Sequence, residues 1–311
     1  MGAKFCAKEL EEFTTVLLHR GSLMLTLCVL ILAFSIVAIV GNLLVIRALW
    51  KTSSIPVSLK KMFLSLAVSD LAMGLFGQPL FGITFAKMLR TKASGNHNFD
   101  RFCPLVFTLC HFSLFLLACA SLLNVTIVAF DRLLAISLPL RYQEMVTPNR
   151  VNIALGVLWL TSGIAAAIYI LLPSNNDRVS EVLEYVGLCI TTVAYLYIYK
   201  TVRYHQNQIQ SHFQMHNSQA VELLRQKKST INALFVYIVF LACYGPHLCC
   251  TILLTVDRLN VSFLAAYEVS VFLVLLNASL NPIIYCWRYR EIREMVKTTF
   301  KGKLCITREL R

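Results

Sequence analysis

Formal charge is absent from a series of long stretches in this chain and crowded between them. Gly21 to Ile46, Phe102 to Phe130, Val151 to Asn176, Ser229 to Val256 and Val269 to Trp287 contain no Asp, Glu, Lys or Arg. Met62 to Ala86 is broken only by Asp70, and Tyr185 to Tyr199 forms a weaker run of 15 residues. A helix rises about 1.5 Å per residue, so about 20 residues cross the roughly 30 Å apolar layer of a bilayer. Lipid offers no partner to backbone amides, which leaves helices or a closed barrel, and long runs without period-two alternation exclude the barrel. The fifth run is too short and must extend upstream through Glu184 and Glu181. The pattern predicts an all-α, seven-transmembrane helix bundle over residues 21–287. An extracellular tail (1–20) precedes it and a cytoplasmic segment (288–311) follows. Residues Met1 to Arg20 are polar and mixed in charge, so the first span serves as its own insertion signal. Tyr204 to Lys228 continues the fifth and sixth helices past the membrane, with a brief turn near His216-Asn217. After Trp287, residues Tyr289, Ile292, Met295 and Val296 share a helical face, which predicts a short amphipathic helix on the cytoplasmic surface. No repeat or second domain is visible.

Composition agrees. The chain is 57% hydrophobic with a mean hydropathy of +0.66 and only 14% charged residues, against about 25% in soluble proteins. The net charge of +13 does not point to nucleic acid. With the N-terminus outside, 20 of the 29 basic residues fall in cytoplasmic segments, the positive-inside bias of a membrane protein. That surface suits anionic lipid and an acidic cytoplasmic partner. The 11 cysteines lie mostly inside spans as packing residues, with no metal-type spacing.

Polar groups inside spans are costly and invite a functional reading. Asp70 is the clearest, with Asn42, Ser121, Asn277 and Asn281 as candidate partners. These residues read either as a structural hydrogen-bond network or as a hydrated pocket for a small cation such as sodium. Asn277, Asn281 and Tyr285 recur every fourth residue and share a stripe. Pro246 and Pro282 interrupt the sixth and seventh helices, which predicts kinks. The third span ends on the acid–base pair Asp131-Arg132.

Taken together and in order, several motifs resemble the rhodopsin-like (class A) G-protein-coupled receptors. They are Gly41-Asn42, Leu64-Ser65-Leu66-Ala67-Val68-Ser69-Asp70, Asp131-Arg132-Leu133, Trp159, Cys243-Tyr244-Gly245-Pro246 and Asn281-Pro282-Ile283-Ile284-Tyr285. Pro139-Leu140-Arg141-Tyr142 and the short second outer loop are similar to the melanocortin and adenosine branch. The resemblance implies a plasma-membrane receptor with no catalytic site. Its partners would be a heterotrimeric G protein, with arrestin and a receptor kinase. Asp131 would hold Arg132 at rest, and Tyr244, Pro246, Asn281 and Pro282 would act as activation hinges. Tyr195 and Tyr285 would line the opened cavity. Asp70, Ser121, Asn277 and Asn281 match the family's sodium-binding residues, an allosteric ion rather than a cofactor.

The departures from the family pattern are informative. Leu133 replaces the usual Tyr, Tyr244 the usual Trp, and span five lacks a proline. Gln226 stands where an acid often locks Arg132 to helix six, which implies raised basal signalling. Phe107 occupies the usual place of an outer cysteine. Cys103 lies one turn earlier, and Cys6 is its expected disulfide partner. Asn260-Val261-Ser262 is a candidate glycosylation site, whereas the same pattern at Asn124 and Asn277 falls within spans. Cys305 is a candidate acylation site.

The ligand pocket is expected among Leu114, Phe115, Ala118, Glu184, His247, Thr251 and Glu268. Leu114 stands where amine receptors carry an Asp, and span seven has no Lys for retinal. Leu80, Phe107 and His111 replace the melanocortin acids, and Thr251 replaces the adenosine-receptor Asn. The ligand class stays open among small molecule, lipid-like and peptide. A transporter or channel would need inverted repeats or a polar lumen. A non-signalling heptahelical scaffold would have no need of Asp131-Arg132 or Asn281-Pro282.

Overall fold

The computed structural model describes residues 2–52, 55–94, 103–138, 141–171, 176–211, 217–257, 260–288, 290 and 292–298. Among the described residues there is no strand. The helices are α1 (Gly2–Lys51), α2 (Val57–Ala72), α3 (Gln78–Ser94), α4 (Cys103–Ser137), α5 (Tyr142–Met145), α6 (Pro148–Leu171), α7 (Asn176–Ser211), α8 (Asn217–Val256) and α9 (Val261–Arg288). A further helix, α10, covers residues 292–298.

Among the described residues, six stretches are long and apolar enough to cross a membrane: Thr15–Lys51, Val57–Lys87, Leu105–Ser137, Pro148–Leu171, Thr230–Val256 and Val261–Arg288. The long helix α7 packs beside them against α4, α6 and α8. It begins at Asn176, so the weak fifth run does continue upstream through the positions of Glu181 and Glu184. The fourth span is described as helix from Pro148 to Leu171. Residues 172–175 of the expected run lie outside the described residues. α7 is described to Ser211 and α8 from Asn217; residues 212–216, where the turn near His216-Asn217 is expected, lie outside the described residues. At the other end, α1 starts well before Gly21. Its backbone leaves helical geometry at Arg20 (φ −136°, ψ 41°), at the expected limit of the tail. Val16 and Leu17, just before that break, are buried against Phe85, Phe107 and Leu264.

α4 runs through the middle, in contact with α1, α2, α3, α6, α7 and α8. The main core gathers Leu122, Val125, Val128 and Ala129 of α4 with Phe63 and Leu66 of α2, Ile198 of α7 and Phe240 of α8. Ile153, Val157, Leu160 and Ile164 of α6 face outward. Such an apolar outer face is stable in lipid and not in water. The chain is a multi-pass membrane protein.

Two close approaches fix the bundle. A Cβ on Gly41 would lie 2.8 Å from the Pro282 ring, so α1 meets Pro282 of α9 only through glycine. Beside it, Asn42 Nδ2 donates to the Ala278 carbonyl at 3.0 Å and Ser279 Oγ donates to the Phe34 carbonyl at 2.9 Å. A Cβ on Gly187, in the proline-free fifth span, would lie 2.7 Å from Leu122. α2 and α3 form one span through a π-turn at Met73–Gly77. In α10, Ile292 is fully buried, with Met295 and Val296 half-buried against the core and Lys297 exposed, the amphipathic face that the sequence predicts.

Candidate functional site

The site with most chemistry lies where α4 ends. Asp131 and Arg132 are each 3% exposed. Arg132 Nε donates to Asp131 Oδ2 at 2.9 Å, and Nη2 makes a second, shorter contact with the same oxygen. Tyr142 closes the group: its hydroxyl donates to Asp131 Oδ1 at 2.8 Å and lies 3.2 Å from Arg132 Nη2. Tyr142 opens α5, which the chain holds firmly beneath α4. Arg150 Nη1 donates to the carbonyls of Glu144 (3.2 Å) and Met145 (3.1 Å), and Ser58 Oγ of α2 donates to the Val146 carbonyl at 3.4 Å. Lys61 of α2 donates to Pro148 O and Asn152 Oδ1. Burial, and then the Asp131 charge, raise the Tyr142 hydroxyl above the ordinary tyrosine pKa, so it stays protonated and donates. Removing one member of a buried ion pair costs about 3–5 kcal/mol, so Arg132 is held until something replaces Asp131.

The tyrosines expected to line an opened cavity are packed away in this arrangement. Tyr195 donates to the Ala233 carbonyl of α8 at 3.2 Å and stacks on Tyr237 at 4.4 Å. The Tyr237 hydroxyl meets Thr192 Oγ1 at 2.5 Å, and Thr191 meets Thr126 of α4 at 2.7 Å. Tyr285 is fully buried, its ring 5.2 Å from that of Phe63. The Gln226 side chain lies outside the described residues.

One level further in, Asn281 Nδ2 donates to Asp70 Oδ2 at 2.7 Å. Asp70, Ser121, Asn277 and Asn281 are all buried. Ser121 Oγ and Asn277 Oδ1 have no hydrogen-bond partner among the described residues. Buried oxygens without partners are rare and costly. Carboxylate, hydroxyl and amide oxygens are the ligand types that a small hard cation takes. Among the described residues no cluster of three or more His, Cys, Asp or Glu side chains has metal-binding character. Asn124 and Asn277 are buried, which excludes both as glycan acceptors. Asn260 caps α9, its Oδ1 accepting from Ser262 N at 3.0 Å while Nδ2 donates to Asp257 at 3.3 Å.

Toward the end where α1 enters, Tyr244 is buried, stacks on Phe240 at 4.0 Å and donates to the Ala118 carbonyl at 3.4 Å. Leu114 faces the α2–α3 junction, where a Cβ on Gly77 would lie 3.2 Å from it. His247 Nδ1 lies 3.0 Å from Ser270 Oγ, and its ring is 5.2 Å from that of Tyr267. Phe115 takes a different place from the ligand-facing rim expected of it: it stacks on Tyr169 of α6 at 4.7 Å. Thr251 turns back to the Leu248 carbonyl at 2.8 Å, and Tyr185 of α7 reaches the same carbonyl at 3.3 Å. Glu268 is half-buried on α9. The side chains of Glu184, Cys6 and Cys103, and the whole of Cys305, lie outside the described residues.

Sequence reasoning missed three contributors. Tyr142 was visible only as part of a motif, although a phenol just past an acid–base pair is a usable signal. Gln78 is fully buried and donates to the Leu275 carbonyl at 2.7 Å; a lone amide inside an apolar run hinted at it. Arg288 bonds Asn232 across 56 residues of sequence, with no local signal.

The family model described as "7 transmembrane receptor (rhodopsin family)" matches residues 41–184 and 179–285. The histamine H2 receptors of Cavia porcellus and Rattus norvegicus are both 28% identical to this chain. The first match covers 90% of this chain and 80% of that protein, the second 92% and 82%. The histamine H2 receptor of Homo sapiens is 26% identical, over 90% of this chain and 80% of that protein. With the buried Asp131–Arg132 pair, the buried Asp70–Asn281 contact and a proline inside each of α8 and α9 standing on a matching helix order, this chain belongs to the rhodopsin family of seven-transmembrane receptors, a receptor family that signals through G proteins.

Proposed function

We propose that this receptor is held at rest by the Asp131–Arg132–Tyr142 network and signals when α8 swings outward about Pro246, freeing Arg132 for the G protein. The observation that carries this reading is the triple contact around Arg132 at 3% exposure. A buried charge pair whose partner can change offers two states that a binding event can shift. Tyr244 and Asn281-Pro282 serve as hinges, and Tyr195 and Tyr285 line the cavity once it opens. The excess of basic residues at the Arg132 end supports a cytoplasmic placement, with the N-terminus outside the plasma membrane. Arrestin and a receptor kinase would share that face with membrane lipids. Asp70, Ser121, Asn277 and Asn281 would hold a sodium ion, whose charge would offset that of the buried carboxylate.

For the ligand, the relatives bind histamine by name. Leu114 argues against an amine held by an acid on α4. The melanocortin and adenosine likeness rests on Pro139-Leu140-Arg141-Tyr142 and the short loop alone. A pocket of Leu114, Ala118, His247, Thr251, Glu184 and Glu268 would suit a largely apolar ligand with one polar group. Phe115 supports its wall through Tyr169. The test is a ligand screen read through several G-protein chimeras with Arg132→Ala as control. A ligand response that Arg132→Ala retains in full would refute the role given to Arg132.

A further inference from the structure

We infer that Arg288 is a latch that holds α8 closed against α9 at the Arg132 end, a positioning residue for the switch. This chain carries Gln226 where the family pattern often has an acid, which leaves room for another contact to restrain α8. Arg288 is the last residue of α9. Its Nε donates to Asn232 Oδ1 of α8 at 2.9 Å, and Asn232 is 4% exposed. Its guanidinium lies 4.2 Å over the ring of Phe235, one turn further along α8, and 5.3 Å from that of Trp287. Trp287 meets Phe235 edge-on at 5.5 Å. A planar cation that stacks on an aromatic face and donates in its own plane is a task for arginine and not lysine. Its position at the C-terminus of α9 also suits the helix dipole.

The neighbouring residue on α8 shows what the latch opposes. The Ala233 carbonyl accepts from Tyr195 of α7 at 3.2 Å. This turn of α8 is therefore clasped from both sides, by Tyr195 through the backbone and by Arg288 through Asn232 and Phe235. Outward movement of α8 must break the Arg288 contacts together, because Asn232 and Phe235 lie on one turn and leave as a unit. Opening would strand a buried amide oxygen, which the closed state satisfies.

This inference rests on the proposed movement of α8, and the test separates the two. Purified receptor in lipid nanodiscs is compared as the unaltered chain, Asn232→Ala, Arg288→Lys and Asn232→Asp. Two readouts are taken without ligand: G-protein nucleotide exchange and amide hydrogen exchange over α8 residues 217–235. Asn232→Ala and Arg288→Lys should raise both by about five-fold. Asn232→Asp, which turns the contact into an ion pair, should lower both. If hydrogen exchange responds in this way while no form of the receptor turns over nucleotide on any G protein, the latch stands and the coupling reading fails. If coupling is normal and hydrogen exchange in α8 is the same in all four, Arg288 is not a latch.

Discussion

Tyr142→Phe removes one hydroxyl and leaves the ring, so it isolates the contact between α5 and the switch pair. The lost bond runs at 2.8 Å to the Asp131 carboxylate, with a second, longer contact of 3.2 Å to Arg132. A hydrogen bond to a charged group contributes about 1.5–3 kcal/mol net. Tyr142 is half-buried, so the lower end applies, and about 1.4 kcal/mol corresponds to ten-fold in an equilibrium. The ratio of released to held Arg132 should therefore rise about ten-fold. Ligand-independent nucleotide exchange on a G protein, per mole of receptor in nanodiscs, reads that ratio. Burial and Asp131 raise the Tyr142 pKa, so the donor form persists as pH rises and is lost only above the ordinary tyrosine value of about 10. Basal exchange should show no step assignable to Tyr142 between roughly pH 6 and 9. If Tyr142→Phe matches the unaltered chain while Asp131→Asn raises output, the hydroxyl has no part in the restraint and this reasoning fails.

Other perturbations reach the remaining levels of the bundle. Raising sodium at constant ionic strength should raise the thermal midpoint of the unaltered receptor, through preferential binding to the folded state, and should do nothing for Asp70→Asn; equal shifts in both would remove the ion from Asp70. Gly41→Ala gains about 1 kcal/mol of helix propensity but forces a Cβ to 2.8 Å from a rigid proline ring. Overpacking costs about 1–3 kcal/mol, so the midpoint should fall by a few degrees, and a rise would show that α1 and α9 separate freely. Gln226→Glu should lower basal cAMP or calcium in transfected cells by restoring the missing acid; unchanged signals would show that this position does not restrain Arg132.

The sequence made much of this legible because its strongest signals are local. Charge-free runs define spans wherever lipid is the solvent, and the runs Gly21–Ile46, Ser229–Val256 and Val269–Trp287 each lie inside one longer helix, α1, α8 and α9. Asp70 and Asn281 could be matched across 211 residues because an acid inside a span needs a partner and few polar groups are available. What stayed hidden depends on tertiary placement. Tyr142 matters only because α5 folds back beneath α4, held there by Arg150, Ser58 and Lys61. Phe115 lies on the expected face of α4, yet stacking on Tyr169 turns its ring toward α6. Arg288 looked like one more cytoplasmic positive charge until Asn232 and Phe235 came beside it.

The central claim is that output passes through Arg132 and that Asp131 restrains it. The most direct measurement is ligand-independent nucleotide exchange by purified Asp131→Asn and Arg132→Ala receptors beside the unaltered chain, at matched folded amounts. The account predicts a rise for Asp131→Asn and loss of activity for Arg132→Ala. Activity retained in Arg132→Ala, or a fall in Asp131→Asn with its fold intact, would contradict it.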